Sequence, residues 1–277
     1  MENNKKIIAM LDELASIMQR RGDGIRAKAY ENASTQIMLL KKDIGEMNYD
    51  VKKIPGIGKT IAEKIDTFLK TGTLEILERE RVNPMNVFTQ IYAIGPKKAE
   101  ELIKKDITTI SQLKENISML NDKQKVGVKY YDDILKRIPR SEIDDFYIKL
   151  TLIFEELDIK GSRFEICGSY RREQKDSGDI DVIITNDNND STIFKELLDW
   201  LKREKYILED GFLSRGDVKS LTVMDIYPEL ENTVKRRVDF FYTPPNEYAF
   251  AILYFTGSKI FNTLMRQRAV DMGYTLN

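Results

Sequence analysis

The hydrophobic period changes once along this chain, and that change calls for two architectures in one molecule. Apolar residues recur at helical spacing early on, as at Ile7, Leu11, Leu14 and Met18, and again at Ile143, Leu150, Ile153, Phe154 and Leu157. Beyond them the period drops to two. Phe164–Cys167, Asp179–Ile184 and Arg237–Phe241 read as short strands, with helices expected over about 191–204, 246–255 and 258–271. The expected fold class is therefore α+β: an all-α half, then an α+β half. Pro139 interrupts the helical pattern and sets the expected boundary near residues 139–145.

With 277 residues, the chain can bury real cores without disulfide staples, and its single cysteine, Cys167, has no partner within the chain. It contains no histidine. That removes the common zinc fingers and every nucleophile system that relies on imidazole. Carboxylates, lysine or tyrosine must carry any proton or metal chemistry. No apolar run is long enough for a membrane span, and the N-terminus does not read as a signal peptide. An intracellular location is expected, either a nucleus or a viral replication site in cytoplasm.

The net charge of −1 hides an asymmetry, +4 over residues 1–150 and −5 over 151–277. A basic half suits a phosphate backbone and an acidic half suits divalent cations, although solvated faces alone also produce such a difference. A repeat sharpens the first reading. Ile54-Pro-Gly-Ile-Gly58 and Ile91-Tyr-Ala-Ile-Gly95 each precede a helix, and Gly58 and Gly95 lie 37 positions apart. A helix start offers backbone N–H groups without intrahelical partners, which suits a phosphate, while a lone copy would equally suit a tight helix connection. Two copies, with Lys52, Lys53, Lys59, Lys97 and Lys98 nearby, favour a grip on nucleic-acid backbone.

The acidic half carries Gly168-Ser-Tyr-Arg-Arg-Glu-Gln-Lys-Asp-Ser-Gly-Asp-Ile-Asp181. On a strand, Asp179 and Asp181 share a face, and two such carboxylates call for a hard cation between them. Asp239, in another strand beside Arg237, completes a candidate two-metal site if the strands are neighbours. Gly168-Ser169 would open a helix against a triphosphate, with Arg172 adding a charged contact. A bare D-x-D also occurs at solvated strand edges; the full combination is more specific.

Together with Lys136–Arg140 and Leu253–Ser258, these motifs resemble the family X DNA polymerases of the nucleotidyltransferase superfamily, along essentially the whole chain. The repeats look like helix-hairpin-helix motifs. The resemblance implies four segments: a 5′-deoxyribose phosphate lyase domain (1–78), a DNA-binding subdomain (79–140), a catalytic palm (141–245) and the start of a nascent-base-pair subdomain (246–277). It implies two Mg²⁺ ions, with Mn²⁺ as a substitute, on Asp179, Asp181 and Asp239. Nucleotide would be bound by Arg137, Ser169, Arg172, Gly178, Tyr254, Phe255, Gly257 and Asn262. DNA contacts fall to Gly56, Gly58, Lys59, Gly95, Lys97, Lys98, Arg237 and Arg266. Na⁺ or K⁺ would sit on the carbonyls of Lys52, Ile54 and Ile57 and of Thr89, Ile91 and Ile94.

A second activity is implied at Lys64, forming a Schiff base with an abasic sugar, in a pocket with Arg26, Lys28, Tyr30 and Glu63. Ile25, Thr60 and Ile76 depart from the phosphate-binding residues expected there, and Lys259 replaces an acid near the incoming base. The implied partners are gapped or nicked duplex DNA, dNTPs and a repair protein such as a ligase, with the chain acting as a monomer. The stretch Gly273–Asn277 reads as the start of a strand, so the closing subdomain is expected to be incomplete, through fragmentation or through loss of closure. Gap filling in base excision repair is the leading expectation. A template-independent nucleotidyltransferase and a DNA-end-binding scaffold are the alternatives.

Overall fold

The computed structural model describes residues 2–46, 51–157 and 161–276. It divides into two compact units, Met1–Val128 and Lys129–Asn277. This division falls about ten residues before the expected change of architecture near residues 139–145. Residues 129–139 join the second unit because Lys129 Nζ and the Tyr130 hydroxyl both bind the Asp210 carboxylate, at 2.7 and 2.8 Å. Pro139 does not end a unit; it pairs in a short strand and leads into a helix.

The first unit is helical: α1 (Glu2–Arg20), α2 (Gly24–Met38), α3 (Lys59–Thr71), α4 (Glu75–Arg81), α5 (Pro84–Phe88), α6 (Pro96–Ile103), α7 (Ile110–Glu115) and α8, which starts at Asp122 and ends at Lys129. Ile7, Leu11, Leu14 and Met18 bury one face of α1 against Ala33 and Ile37 of α2 and Ile65 of α3. Each fully buried aliphatic side chain contributes roughly 1.5–3 kcal/mol. The two glycine turns are conformational copies. Ile57 N–H donates to Ile54 O and Ile94 N–H to Ile91 O, both at 3.1 Å. Gly56 has φ +79° and Ala93, at the matching position, has φ +62°. The second copy thus holds a left-handed backbone without glycine; Gln124 donates to the Ala93 carbonyl at 3.0 Å, tying this turn to α8.

The second unit holds α9 (Tyr131–Ile134), β1 (Ile138–Pro139), α10 (Arg140–Glu156), β2 (Ser162–Ile166), α11 (Gly168–Arg171), β3 (Asp176–Ser177), β4 (Ile180–Asn186), α12 (Thr192–Arg203), β5 (Ile207–Arg215), β6 (Lys219–Met224), β7 (Arg236–Tyr242), α13 (Tyr248–Thr256) and α14 (Lys259–Asp271). The larger sheet runs β2-β4-β7-β6-β5, with β4 and β7 parallel and the other pairs antiparallel. α10 and α12 cover it through Phe146, Leu150, Phe194 and Leu201, which pack on Val182, Val238 and Phe240. The α+β class is as expected. Four strands, β1, β3, β5 and β6, are not marked in the sequence; in β5 register shifts between Ile207, Phe212 and Ser214 break the clean alternation.

At the start of the central strand β7, Arg236 is 5% exposed and makes a bidentate pair with Glu142, both bonds at 2.6 Å. It also donates to the carbonyls of Lys136 and Arg137, fixing the segment that carries Arg137. Among the described residues no helix is long and apolar enough to cross a membrane.

Candidate active site

The parallel pairing of β4 and β7 sets Asp181 directly opposite Asp239. Asp179 precedes β4 in a bend, just outside the strand in which it was expected. Burial pushes Asp181 up to about 7, helped by repulsion from Asp179 and Asp239 and opposed by Arg237 and Arg172. Burial likewise raises Asp239 to about 6, although Arg237 counteracts it. Charges crowded this tightly need a cation.

In this structure the cation is Arg237. Its guanidinium pairs with Asp179, and its Nε lies 3.4 Å from Asp239 Oδ1. The latter contact is an ion pair whose geometry leaves both atoms buried without a hydrogen bond. Among the described residues no group of three acidic side chains is arranged to enclose a metal ion. An arginine is interposed among the three aspartates. Its place was foreseeable from spacing, since Arg237 and Asp239 stand two apart on one strand and share a face. The donor set itself suits a hard divalent ion, with one buried carboxylate oxygen awaiting a partner.

The turn at Gly168 packs closely against these carboxylates. Gly168 has φ +62°, and a Cβ there would stand 2.9 Å from Asp181 Oδ2. Cys167 N–H donates to the Asp181 carbonyl at 2.8 Å, and Ser169 and Ser177 hydroxyls lie 2.7 Å apart. Arg137 donates to the Asp176 carboxylate and carbonyl at 2.8 and 3.0 Å, and a Cβ on Gly178 would sit 3.0 Å from its Nη1. Tyr254 and Phe255 end α13, where Phe255 packs on Phe241 with ring centroids 4.3 Å apart. Asn262 donates to the Tyr254 carbonyl at 2.8 Å, and Arg266 lies 5.6 Å from the Tyr254 ring centroid. Hence Arg137, Ser169, Arg172, Gly178, Tyr254, Phe255, Gly257, Asn262 and Arg266 all fall in the unit that carries the aspartates.

The first unit gathers its candidates less tightly. Gly58 and Gly95 cap α3 and α6 in extended conformation, with no side-chain cap hydrogen bond at either helix start. Lys97 is exposed, whereas Lys98 is committed to Glu101 and the Met119 carbonyl. Of the candidate cation carbonyls, Ile54 O and Ile91 O already accept turn-closing bonds, which leaves each one lone pair. Lys64 is half-buried on α3 and, among the described residues, makes no hydrogen bond or ion pair. Arg26 pairs with Asp23 at 3.4 Å, Lys28 is exposed, Glu63 stands 4.0 Å from Lys59, and Tyr30 is buried in the helical core. Ile25 is 88% exposed, while Ile76 packs on that core.

Four domain families match consecutive stretches of the chain. They are a helix-hairpin-helix domain over 2–74, the fingers domain of DNA polymerase lambda over 86–135, the DNA polymerase beta palm over 137–245 and the DNA polymerase beta thumb over 251–277. Among curated proteins the chain is similar to DNA polymerase lambda of Arabidopsis thaliana, 30% identical over 99% of this chain and 53% of that protein. It is likewise similar to DNA polymerase lambda of Rattus norvegicus, 29% identical over 99% of this chain and 48% of the relative. The DNA polymerase type-X family protein pol4 of Schizosaccharomyces pombe is 26% identical, over 93% and 52% respectively. The chain spans about half the length of these relatives.

Proposed function

The chain belongs to the family X DNA polymerases, and from that premise we propose that it fills short gaps in duplex DNA during base excision repair. The observation that carries this reading is the register of β4 and β7, which sets Asp181 against Asp239 with Asp179 at the strand entrance. Two Mg²⁺ ions held by these carboxylates would lower the pKa of the primer 3′-hydroxyl and neutralise the departing pyrophosphate. The protein's own groups supply placement. Arg137, Ser169, Arg172 and Gly178 orient the triphosphate, Tyr254, Phe255 and Gly257 line the sugar, and Asn262 and Arg266 read the nascent pair. Arg237 pairs with Asp179; with the carboxylates engaged by a cation, its guanidinium would be free for the primer phosphates.

The hairpin turns, with Na⁺ or K⁺ at their carbonyls, are assigned to backbone phosphates on either side of the gap. Lys64 is assigned to the lyase step: its neutral amine adds to the C1′ aldehyde of the abasic sugar, water leaves to form the imine, loss of a C2′ proton breaks the C3′–O bond and releases the downstream strand as its 5′-phosphate, and water then hydrolyses the imine to free the lysine. The four segments 1–78, 79–140, 141–245 and 246–277 correspond to lyase, DNA-binding, palm and nascent-pair roles. A nuclear location and a repair ligase as partner accord with this role.

Extension of a primer on a one-nucleotide gapped duplex, compared with the same primer single-stranded, tests the proposal. Mg²⁺-dependent addition of only the complementary dNTP, lost in Asp239→Ala, is expected. Addition regardless of template would favour a template-independent transferase instead. Binding without addition would leave a DNA-end scaffold.

A further inference from the structure

One residue joins the turn assigned to the triphosphate to the turn assigned to the sugar. The Thr256 hydroxyl accepts a hydrogen bond from Arg171 Nη1 at 3.1 Å, and its carbonyl accepts one from Arg172 Nη1 at 2.5 Å. The buried Cys167 thiol lies against the same side chain. Arg171 is held from behind by Glu165 of β2, Nε to Oε1 at 3.0 Å. Thus a strand, the phosphate turn and both arginines converge on the last residue of α13.

On the other side of Thr256 the packing is equally close. A Cβ added to Gly257 would lie 3.5 Å from Arg172 Nη1 and 3.9 Å from Asn262 Nδ2. Asn262 itself closes onto the carbonyl of Tyr254, two residues earlier. Carbonyls in a helix's last turn have no intrahelical partner, and here side chains assigned to the nucleotide satisfy two of them.

Resting on the polymerase reading, we propose that Thr256 is a positioning residue that sets the distance between the triphosphate grip and the sugar wall. Arginine has five donors, so Arg172 can give Nη1 to Thr256 and keep Nε and Nη2 for phosphate oxygens. Its orientation is then fixed before nucleotide arrives, which reduces the ordering cost of binding. The Arg171 bond to the hydroxyl fixes the residue that presents that carbonyl. The same anchoring holds the backbone at Phe255–Gly257, where a ribose 2′-hydroxyl would have to fit.

The test uses the full chain, Mg²⁺ and a one-nucleotide gapped duplex, with Thr256→Val and Thr256→Ser beside the parent. Thr256→Val keeps the shape and loses the acceptor. It is expected to raise the KM for dNTP about tenfold, the usual weight of a charge-assisted hydrogen bond. Its kcat should stay within about twofold of the parent, and its preference for dNTP over rNTP should narrow. Thr256→Ser should restore both quantities. An unchanged KM and sugar preference in Thr256→Val overturns the proposal, as does a Thr256→Ser variant equally impaired, which would make methyl packing the determinant. A fall in kcat and melting temperature without a KM change assigns Thr256 a purely structural role and also overturns it. A parent that adds no nucleotide overturns the polymerase reading itself, a result distinct from an active parent insensitive to Thr256→Val.

Discussion

The aspartate site stands out as a motif while Lys64 is singled out only by the family resemblance, and the fold treats the two differently as well. Two neighbouring strands bring Asp179, Asp181 and Asp239 together, raise two of their pKa values and interpose an arginine. Lys64 instead stands half-buried on one helix, its expected companions divided between solvent and core. Electrostatic strain is a signature of a site built for charge, whereas a lysine that must be neutral to react needs desolvation or neighbouring cations. The carboxylate cluster that the proposed polymerase step needs is thus assembled within one unit, whereas the groups the proposed lyase step needs are not gathered around Lys64.

The largest effects should separate the two regions cleanly. Asp181→Asn is expected to reduce gap filling by at least about 10³-fold while leaving borohydride trapping on an incised abasic site intact. Trapping lost together with extension would merge the two sites. Conversely, Lys64→Ala should abolish trapping and change extension less than about twofold. Trapping that persists in this variant would move the nucleophile elsewhere, and Lys59 would be the next candidate.

Smaller effects probe the scaffolds. Glu142→Gln breaks the buried pair that holds Arg236, and should cost about 3 kcal/mol of stability in chemical denaturation. Its damage should appear in the unit that carries the aspartates. In the first unit, a Cβ at Gly127 would meet the Tyr92 carbonyl at 2.7 Å. Gly127→Ala should therefore cost about 1–3 kcal/mol and weaken duplex binding through the second hairpin. A Gly127→Ala protein as stable as the parent would show that α8 and this turn are not rigidly joined.

The smallest effect is an acid dependence. Burial pulls Asp43 up, but hydrogen bonds from the Gly45 and Asn3 backbones and the Asn3 side chain outweigh it and hold the carboxyl at about 2. The folded value lies below the ordinary one, so this stabilisation is complete above about pH 4 and fades as pH falls towards 2. Asp43→Asn should flatten that part of the acid-denaturation profile of the first unit, read by its helical circular dichroism. A profile unchanged by the substitution would remove Asp43 from the account.

The sequence displayed the palm well where side-chain period and chemistry coincide. The strands carrying Asp181 and Asp239, the helix pair at α13 and α14 and both glycine turns emerged within a few residues of their observed bounds. β5 stays hidden because its bulges interrupt the period that marks a strand, and the attachment of residues 129–139 to the second unit has no local signal because the Lys129 and Tyr130 contacts with Asp210 are remote in sequence. Arg237 was read as a DNA contact, since the spacing places it beside Asp239 but cannot tell which charge it meets first. The part played by Thr256 was not legible at all: a threonine ending an apolar helix carries no signal until Arg171 and Arg172 fold onto it.

The most direct test of the central claim is the number of Mn²⁺ ions bound by the chain, counted by electron paramagnetic resonance, on a gapped duplex with a non-hydrolysable dNTP. Two ions per chain are predicted in the parent and no more than one in Asp239→Ala. A parent that binds no Mn²⁺, or an Asp239→Ala variant that still binds two, would contradict a metal site made by Asp179, Asp181 and Asp239.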